Sequence, residues 1–136
     1  MWLENKGIEL WLDDERDPND PFIQEEFHAR PGMIWVKTVP EAKEILKQGN
    51  VSYISFDNDL AQPEEGKDLA KWIEEEAYYN RLKPMQWTVH SQNVIGQKHI
   101  IMAMKNADKF CCTKREKWDT CSHRVQKPKE GGMNGV

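Results

Sequence analysis

The order of strand-like and helix-like segments constrains the fold of this chain more than any other feature of its sequence. Four apolar segments have the length and composition of strands: IELWLDD (8–14), MIWVKTV (33–39), VSYISFD (51–57) and MQWTVHS (85–91). Each is followed by a segment with helical spacing: FIQEEFHAR (22–30), EAKEILKQG (41–49), EEGKDLAKWIEEEAYYNRL (64–82) and VIGQKHIIMAMKNA (94–107). Strands that alternate with helices form βα units, and these units build a parallel sheet with helices on both faces. The pattern therefore predicts an α/β fold.

The C-terminal part of the chain completes the expected layout. KFCCTK (109–114) is predicted to be a short fifth strand, which gives a sheet of four to five strands. The first helix is short because PG follows it, and few residues remain after the fifth strand to form a fifth helix. We assign residues 1–118 to a single domain. Residues 119–136 are polar and Gly-rich, and a mobile tail is expected there.

Charge and hydropathy exclude some classes of partner. The 136 residues include 23 acidic and 19 basic side chains, with a net charge of -4, so no broad basic field exists for duplex DNA. No apolar run approaches the about 20 residues that a membrane span needs, and MWLENKGIEL lacks the features of a signal peptide. Three cysteines, two of them adjacent, suit a reducing compartment. A cytoplasmic protein is expected.

Polar side chains follow three of the predicted strands. Asp13 and Asp14 end the first strand, Asp57 follows the third, and His90 and Ser91 end the fourth. Because the carboxyl ends of parallel strands meet at one edge, ligands bind there, and the sequence predicts a site. Simpler interpretations exist for each group. The acids could be solvated at the surface, Asp57 could belong to an Asx turn with Asp59, and His90 could bond a backbone carbonyl.

These segments carry a resemblance to a known family. An acidic pair after the first strand, an aspartate after the third, a hydroxyl residue after the fourth and a lysine after the fifth resemble the response-regulator receiver domain, which has a flavodoxin-like fold. LDDERDP, SFDNDL and VHSQN are more similar to the cyclic-phosphate-processing receiver-like domains, with their pattern DD-x-R, DHDL and HS-x-N. The resemblance covers residues 8 to about 107. Asn58 departs from the histidine that this branch usually has, so no role of that histidine is carried over.

The resemblance implies roles for the strand-end residues. Asp13, Asp14 and Asp57 would hold Mg²⁺ or Mn²⁺, and the preference of hard cations for carboxylate oxygens supports this independently. Asp57 is also the position that receivers phosphorylate, so it would act as nucleophile or as ligand. Ser91 would hydrogen-bond a phosphate oxygen. His90 is predicted to be the general acid or base, because an unperturbed pKa of about 6.5 lets histidine carry a proton either way.

Three further residues are predicted to contact the phosphate or the sugar. Arg16 would neutralise phosphate charge, although a surface ion pair is the simpler interpretation. Asn93 would orient a water or a ring hydroxyl, or it would be the N-cap of the helix that starts at Val94. ADKFCCTK resembles the end of ordinary receivers, which implies that Lys114 pairs with the phosphoryl oxygens.

Two functions fit the predicted fold and site. The first is a divalent-metal-dependent phosphoesterase that processes a cyclic phosphate, with a small phosphorylated ligand such as a nucleotide, or an RNA end, as substrate. The second is a signalling or interaction module that takes a phosphoryl group on Asp57, or that binds a protein partner through residues 94–112. His90 and the short first helix favour the enzyme, because phosphoacceptor receivers need no histidine before the hydroxyl residue of the fourth strand and have a full first helix.

Overall fold

The fold is a parallel sheet of four strands with helices on both faces. A computed structural model of the chain describes residues 7–115, with side chains to residue 110. The strands are β1 Ile8–Leu12, β2 Ile34–Val36, β3 Val51–Phe56 and β4 Gln86–Val89, in the order β2-β1-β3-β4. The helices are α1 Pro21–Phe27, α2 Val39–Leu46, α3 Gly66–Tyr78 and α4 Val94–Arg115. All three strand pairs are parallel, which confirms the predicted receiver-like, flavodoxin-like α/β fold.

Strand alternation divides the core into two layers. Leu10 and Leu12 of β1 point to the face that α2, α3 and α4 cover, and they belong to the larger apolar cluster. Trp11 points to the opposite face, where it packs with Ile23 of α1 in a smaller cluster. The helix ends agree with local sequence signals. Thr38 and Glu41 form a capping box at the start of α2, for example.

The predicted fifth strand is wrong. Residues 109–114 continue α4, which ends at Arg115. The reason lies in the helical spacing of the buried residues of α4, Ile100, Ala103, Met104 and Ala107, and in the absence of any glycine or proline between them and Arg115. Lys114 therefore lies in the last turn of a helix and not at a strand end, and its side chain is outside the described ones. The proposed 119–136 tail and the end of the 1–118 domain also lie outside the described residues.

The carboxyl ends of three strands are held at one edge by the last hydrogen bonds of the sheet. The backbone nitrogen of Asp13 donates to Val36 O at 3.1 Å, and that of Asp57 donates to Leu12 O at 2.9 Å. The nitrogen of His90 donates to Phe56 O at 2.9 Å. Each strand thus delivers a polar residue just past its end, at the edge where the sequence predicts a site.

Candidate functional site

Three carboxylates meet at the carboxyl edge of the sheet. One oxygen from each of Asp13, Asp14 and Asp57 lies within 4.8 Å of the others. Asp13 and Asp57 are buried, whereas Asp14 is half-buried. Carboxylate oxygens are the ligands that Mg²⁺ and Mn²⁺ prefer, and three of them in one place form a donor set that suits such an ion. The three aspartates therefore lie close together at this edge, as the sequence predicts.

The carboxylate of Asp13 accepts four hydrogen bonds. Its Oδ1 accepts from the backbone nitrogens of Glu15 at 2.8 Å and Arg16 at 2.9 Å. Its Oδ2 accepts from Arg16 Nη1 at 3.0 Å and lies 2.9 Å from His90 Nε2. Burial alone raises the pKa of Asp13, but the bonds from His90, the backbone and Arg16 outweigh it and lower the pKa to about 2. Asp13 is therefore ionised at all ordinary pH values.

The carboxyl of Asp57 has the opposite shift. Burial, followed by the negative charge of Asp13, raises the pKa of Asp57 to about 6, although Arg16 and a hydrogen bond from Ser91 oppose this. Arg16 Nη1 lies 3.7 Å from Asp57 Oδ2, too far for a hydrogen bond. The single guanidinium therefore leaves part of the negative charge at the site unmatched. A divalent cation fits this excess charge.

Arg16 lies across the carboxylates and is fixed there from several sides. Its Cζ stands 4.3 Å from the centre of the Phe27 ring, and its Nη2 lies 3.4 Å from Gln92 Oε1. Its side chain is 23% exposed, so it is neither a fully solvated surface residue nor sealed in the core. Asp13 can ligate an ion directly only if Arg16 Nη1 leaves Oδ2, because all four acceptor positions of that carboxylate are used.

Protein groups contact both nitrogens and one face of the buried His90 ring. Its Nδ1 lies 2.8 Å from Ser55 Oγ, and its Nε2 lies 2.9 Å from Asp13 Oδ2. The ring stacks on Trp11, with centroids 3.8 Å apart and planes 4° from parallel. Burial lowers its pKa, against the opposing effect of Asp13. β4 ends at Val89, so His90 lies beyond the strand as expected, but the proton-transfer role stays a prediction.

Ser91 and Asn93 form the other side of the site. The hydroxyl of Ser91 bonds to the carboxylate of Asp57 and accepts from the backbone nitrogen of Asn93 at 3.1 Å. Asn93 Oδ1 accepts from Gly96 N at 2.9 Å, which confirms the N-cap interpretation. Its Nδ2 donates to Asp59 Oδ1 at 3.0 Å. Contact of Asn93 with a water or a ring hydroxyl stays a prediction.

Asn58 joins the site loop to the start of α3. Its side chain is 2% exposed, and its Oδ1 accepts from the backbone nitrogen of Lys67 at 2.9 Å. Its Nδ2 donates to Asp59 Oδ1 at 3.1 Å and to Glu65 Oε1 at 3.3 Å. Glycine at position 96 gives it room, since a Cβ there would lie 2.4 Å from Asn58 Cγ. Asn58 therefore fixes the backbone next to Asp57.

Several contacts of the site were not expected from the sequence. Ser55 and Trp11 contact His90, Phe27 contacts the guanidinium of Arg16, and Trp35 Nε1 donates to the backbone oxygen of Asp13 at 2.7 Å. A signal for two of them existed. Ser55 lies two residues before Asp57, and Trp11 lies two residues before Asp13, so each pair shares a face by strand alternation.

A groove among the described residues lies elsewhere, along the outer face of α3. It is open and mixes acidic and aromatic side chains, among them Glu64, Asp68, Glu74, Glu75, Tyr78, Tyr79 and Phe110. No site residue lines it, so its size does not mark the chemistry. Within residues 7–115, no helix is long and apolar enough to cross a membrane.

The fold and this edge define a receiver-like α/β domain with an acidic site. Residues 8–106 match the family model described as the cyclic-phosphate processing receiver domain. Because this match spans most of the chain, the protein belongs to that family. Neither a curated protein nor a solved structure matches the chain.

Proposed function

We propose that this domain is a divalent-metal-dependent phosphoesterase that processes a cyclic phosphate of a nucleotide or of an RNA end. The family supports the cyclic phosphate as the kind of substrate. One observation carries the metal-dependent part of the proposal: oxygens of Asp13, Asp14 and Asp57 lie within 4.8 Å of one another. Without a cation, burial and then the negative charge of Asp13 disfavour the ionised form of Asp57 and raise its pKa to about 6.

The three aspartates would hold Mg²⁺ or Mn²⁺. A bound ion of this type supplies Lewis-acid stabilisation of the charge that develops on phosphate oxygens. The fit is supported by the hard oxygen donors and by the negative charge that Arg16 leaves unmatched. Arg16 has to give up its bond to Asp13 Oδ2 when Asp13 ligates directly, and the guanidinium is then available to a phosphate oxygen.

Arg16 and Ser91 would bind the phosphate. Hydrolysis of a cyclic phosphodiester breaks one P–O bond of the ring and forms one P–O bond to the oxygen of water. Positive and hydrogen-bonding groups at the phosphate oxygens favour this change, because they stabilise charge that grows in the transition state. The guanidinium offers two parallel N–H groups to an oxyanion, and Ser91 would turn its O–H from the Asp57 carboxylate to a phosphate oxygen.

Proton transfer is the step for which His90 is predicted. Both of its ring nitrogens have protein partners, so the geometry supports a holding role for His90 towards Asp13. Asp57 would then act as a metal ligand or attack phosphorus. After such an attack the P–O bond of the ring breaks, water hydrolyses the aspartyl phosphate, and a proton of that water passes to the ring oxygen that left.

The phosphoacceptor or interaction module remains the second candidate, and two observations favour it. Asp57 occupies the position that receivers phosphorylate, beside the hydroxyl of Ser91. In addition, α4 exposes Val94, Ile95 and Met102 by 60%, 68% and 63%, within the 94–112 segment predicted to bind a partner. Acetyl phosphate is the probe for this candidate: a stable phosphoryl group on Asp57, with no turnover of cyclic phosphates, supports it.

The deciding experiment is hydrolysis of 2′,3′-cyclic and 3′,5′-cyclic nucleotides, and of RNA that ends in a 2′,3′-cyclic phosphate, with Mg²⁺ or Mn²⁺. We expect turnover that EDTA abolishes and that Asp57→Asn removes. His90→Gln separates the two roles of the histidine: a changed pH profile in saturating metal supports proton transfer, whereas a raised metal requirement supports holding. No turnover of any substrate in the panel would reject the phosphoesterase.

A further inference from the structure

A buried chain of three polar side chains runs beneath the site. Ser55 and Asp13 are fully buried and His90 is 9% exposed. Ser55 Oγ lies 2.8 Å from His90 Nδ1, and His90 Nε2 lies 2.9 Å from Asp13 Oδ2. The residue types are those of a hydrolytic triad, but the serine is sealed in the core. Ser55 therefore cannot meet a substrate, and its hydroxyl needs another explanation.

The direction of the hydrogen bonds follows from the groups at the two ends. An ionised carboxylate can only accept, so Nε2 of His90 carries a hydrogen and donates to Asp13. In a neutral imidazole the other nitrogen is an acceptor, so the hydroxyl of Ser55 donates to Nδ1. The stack of Trp11 on the ring, at 3.8 Å and 4°, fixes the plane in which both bonds lie. Each polar atom of the chain thereby has a partner.

We propose that Ser55 is a positioning residue: its hydroxyl holds the His90 ring so that Nε2–H points at Asp13 Oδ2 and, through this bond, sets the orientation of the Asp13 carboxylate for the metal ion. This inference rests on the metal site of the proposed function. The ionised Asp13 carboxylate selects the Nε2–H tautomer, and Ser55 fixes the orientation of the ring that carries it. Loss of the Ser55 hydroxyl removes the bond that holds the ring at Nδ1, so the donor to Asp13 is less well fixed.

The expected effect is on metal affinity. Hydrogen-bond partners of ligating groups typically contribute about 10- to 100-fold to metal affinity when they are removed. Ser55 acts through two intervening groups, so we expect Ser55→Ala to weaken Mn²⁺ binding by about tenfold, at the low end of that range. Ser55→Thr keeps a hydroxyl at the same atom and is expected to retain most of the affinity.

Two measurements on the full chain test the proposal. The first is ¹⁵N NMR of the imidazole nitrogens of His90 without metal, assigned by loss of the signals in His90→Gln. We expect a protonated Nε2 and an unprotonated Nδ1. The second is Mn²⁺ affinity from water proton relaxation for the parent, Ser55→Ala and Ser55→Thr. Ser52→Ala is the matched control, because Ser52 lies on the same strand and its hydroxyl lies 3.5 Å from Ile8 O, at the other end of β3.

The outcomes separate this inference from the proposed function. A protonated Nδ1 in the parent protein, or Mn²⁺ affinity of Ser55→Ala equal to that of the parent, overturns the role of Ser55. A parent protein that binds no Mn²⁺ overturns the metal site itself, even when the tautomer is the expected one. If Ser55→Ala does not fold, the affinity of Ser55→Thr still decides, because a loss of Mn²⁺ affinity of about tenfold or more in a folded Ser55→Thr, which keeps the hydroxyl, contradicts the hydroxyl's role.

Discussion

Arg16 Nη1 donates to Asp13 Oδ2 at 3.0 Å and thereby uses the last acceptor position that this buried carboxylate offers. The same nitrogen lies 3.7 Å from Asp57 Oδ2. The guanidinium of Arg16 thus lies next to two of the three carboxylates that would hold a metal ion. It partly neutralises them, and it also competes with any cation that binds there.

The first prediction follows from this competition. Arg16→Gln removes a positive charge next to the carboxylates, so Mn²⁺ or Mg²⁺ should bind more tightly, by about tenfold. Two unit charges 4 Å apart interact by about 4 kcal/mol at an effective dielectric constant of 20, and movement of the side chain reduces this to a fraction. Isothermal titration calorimetry with Mn²⁺ measures the change.

Arg30→Gln is the matched control for the Arg16 variant. Arg30 pairs with Glu9 and covers the ring of Tyr53, away from the carboxylates, so its loss should leave Mn²⁺ affinity unchanged. Weaker metal binding by Arg16→Gln would contradict competition and would mean that Arg16 organises the ligands instead.

The second prediction concerns the pH dependence of metal binding. Asp57 must lose its proton to ligate a cation, and its pKa is raised to about 6 by burial and by Asp13. Mn²⁺ affinity should therefore rise about tenfold per pH unit below pH 6 and level off above it, because one proton is released per ion bound. Asp13, with a pKa of about 2, does not titrate in this range. Relaxation titrations between pH 4.5 and 8 measure the profile.

Asp57→Asn serves as the control for that profile. The variant has no proton to release at this position, so its weaker binding should not vary with pH between 4.5 and 6. A profile that is the same in the parent and in Asp57→Asn would assign the proton to another group.

The sequence predicts where the site lies better than it predicts which residues contact one another there. Strand ends are visible as apolar runs that stop at Asp13, Asp57 and His90, and a parallel sheet brings such ends to one edge. The predicted fifth strand was wrong because α4 continues through residues 109–114, which have the local pattern of a short strand. Local pattern cannot decide between a short buried strand and a helix extension that packs on α3.

Strand alternation indicates that Ser55 and Trp11 share a face with site residues, but not which of their atoms contacts His90. Which atom contacts each ring nitrogen of His90 depends on the register of β1, β3 and β4. In this register Trp11 pairs with Ser55, and Ser55 pairs with Thr88. The register depends on how the strands pair in the folded protein, whereas the residue that ends a strand can be identified from the local sequence. The sequence thus predicts that a histidine is present at the edge, but not that both its nitrogens are occupied.

The third prediction concerns stability. A carboxyl whose pKa in the folded protein is raised, from 3.8 to about 6 for Asp57, favours the folded state only while it is protonated. The free energy of unfolding should therefore fall as pH rises from about 4 to 6, and stay lower above pH 6. The Asp57→Asn variant has no carboxyl to ionise at this position. Its free energy of unfolding should therefore exceed that of the parent by about 2 kcal/mol at pH 7.5 in EDTA. Urea unfolding at pH 4.5 and 7.5 measures both effects.

Asp14→Asn is the comparison for this variant, because it also removes one carboxylate from the cluster. Asp14 is only half-buried, so water screens its charge and we expect a change below about 1 kcal/mol. If Asp57→Asn is less stable than the parent at pH 7.5, the hydrogen bond from Ser91 outweighs burial and the repulsion from Asp13.

The fourth prediction concerns the contact between Gly96 and Asn58. A Cβ at position 96 would lie 2.4 Å from Asn58 Cγ and 2.5 Å from its Nδ2, so Gly96→Ala must displace the buried amide. We expect Gly96→Ala to lower the free energy of unfolding by about 2 kcal/mol, as overpacking in cores does.

The double variant Asn58→Ala/Gly96→Ala has no such clash. Gly96→Ala should therefore destabilise the Asn58→Ala protein less than it destabilises the parent, by more than about 1 kcal/mol. A double-mutant cycle in urea measures this coupling. Additive effects would mean that α4 moves away as a whole, in which case Asn58 does not fix the backbone next to Asp57.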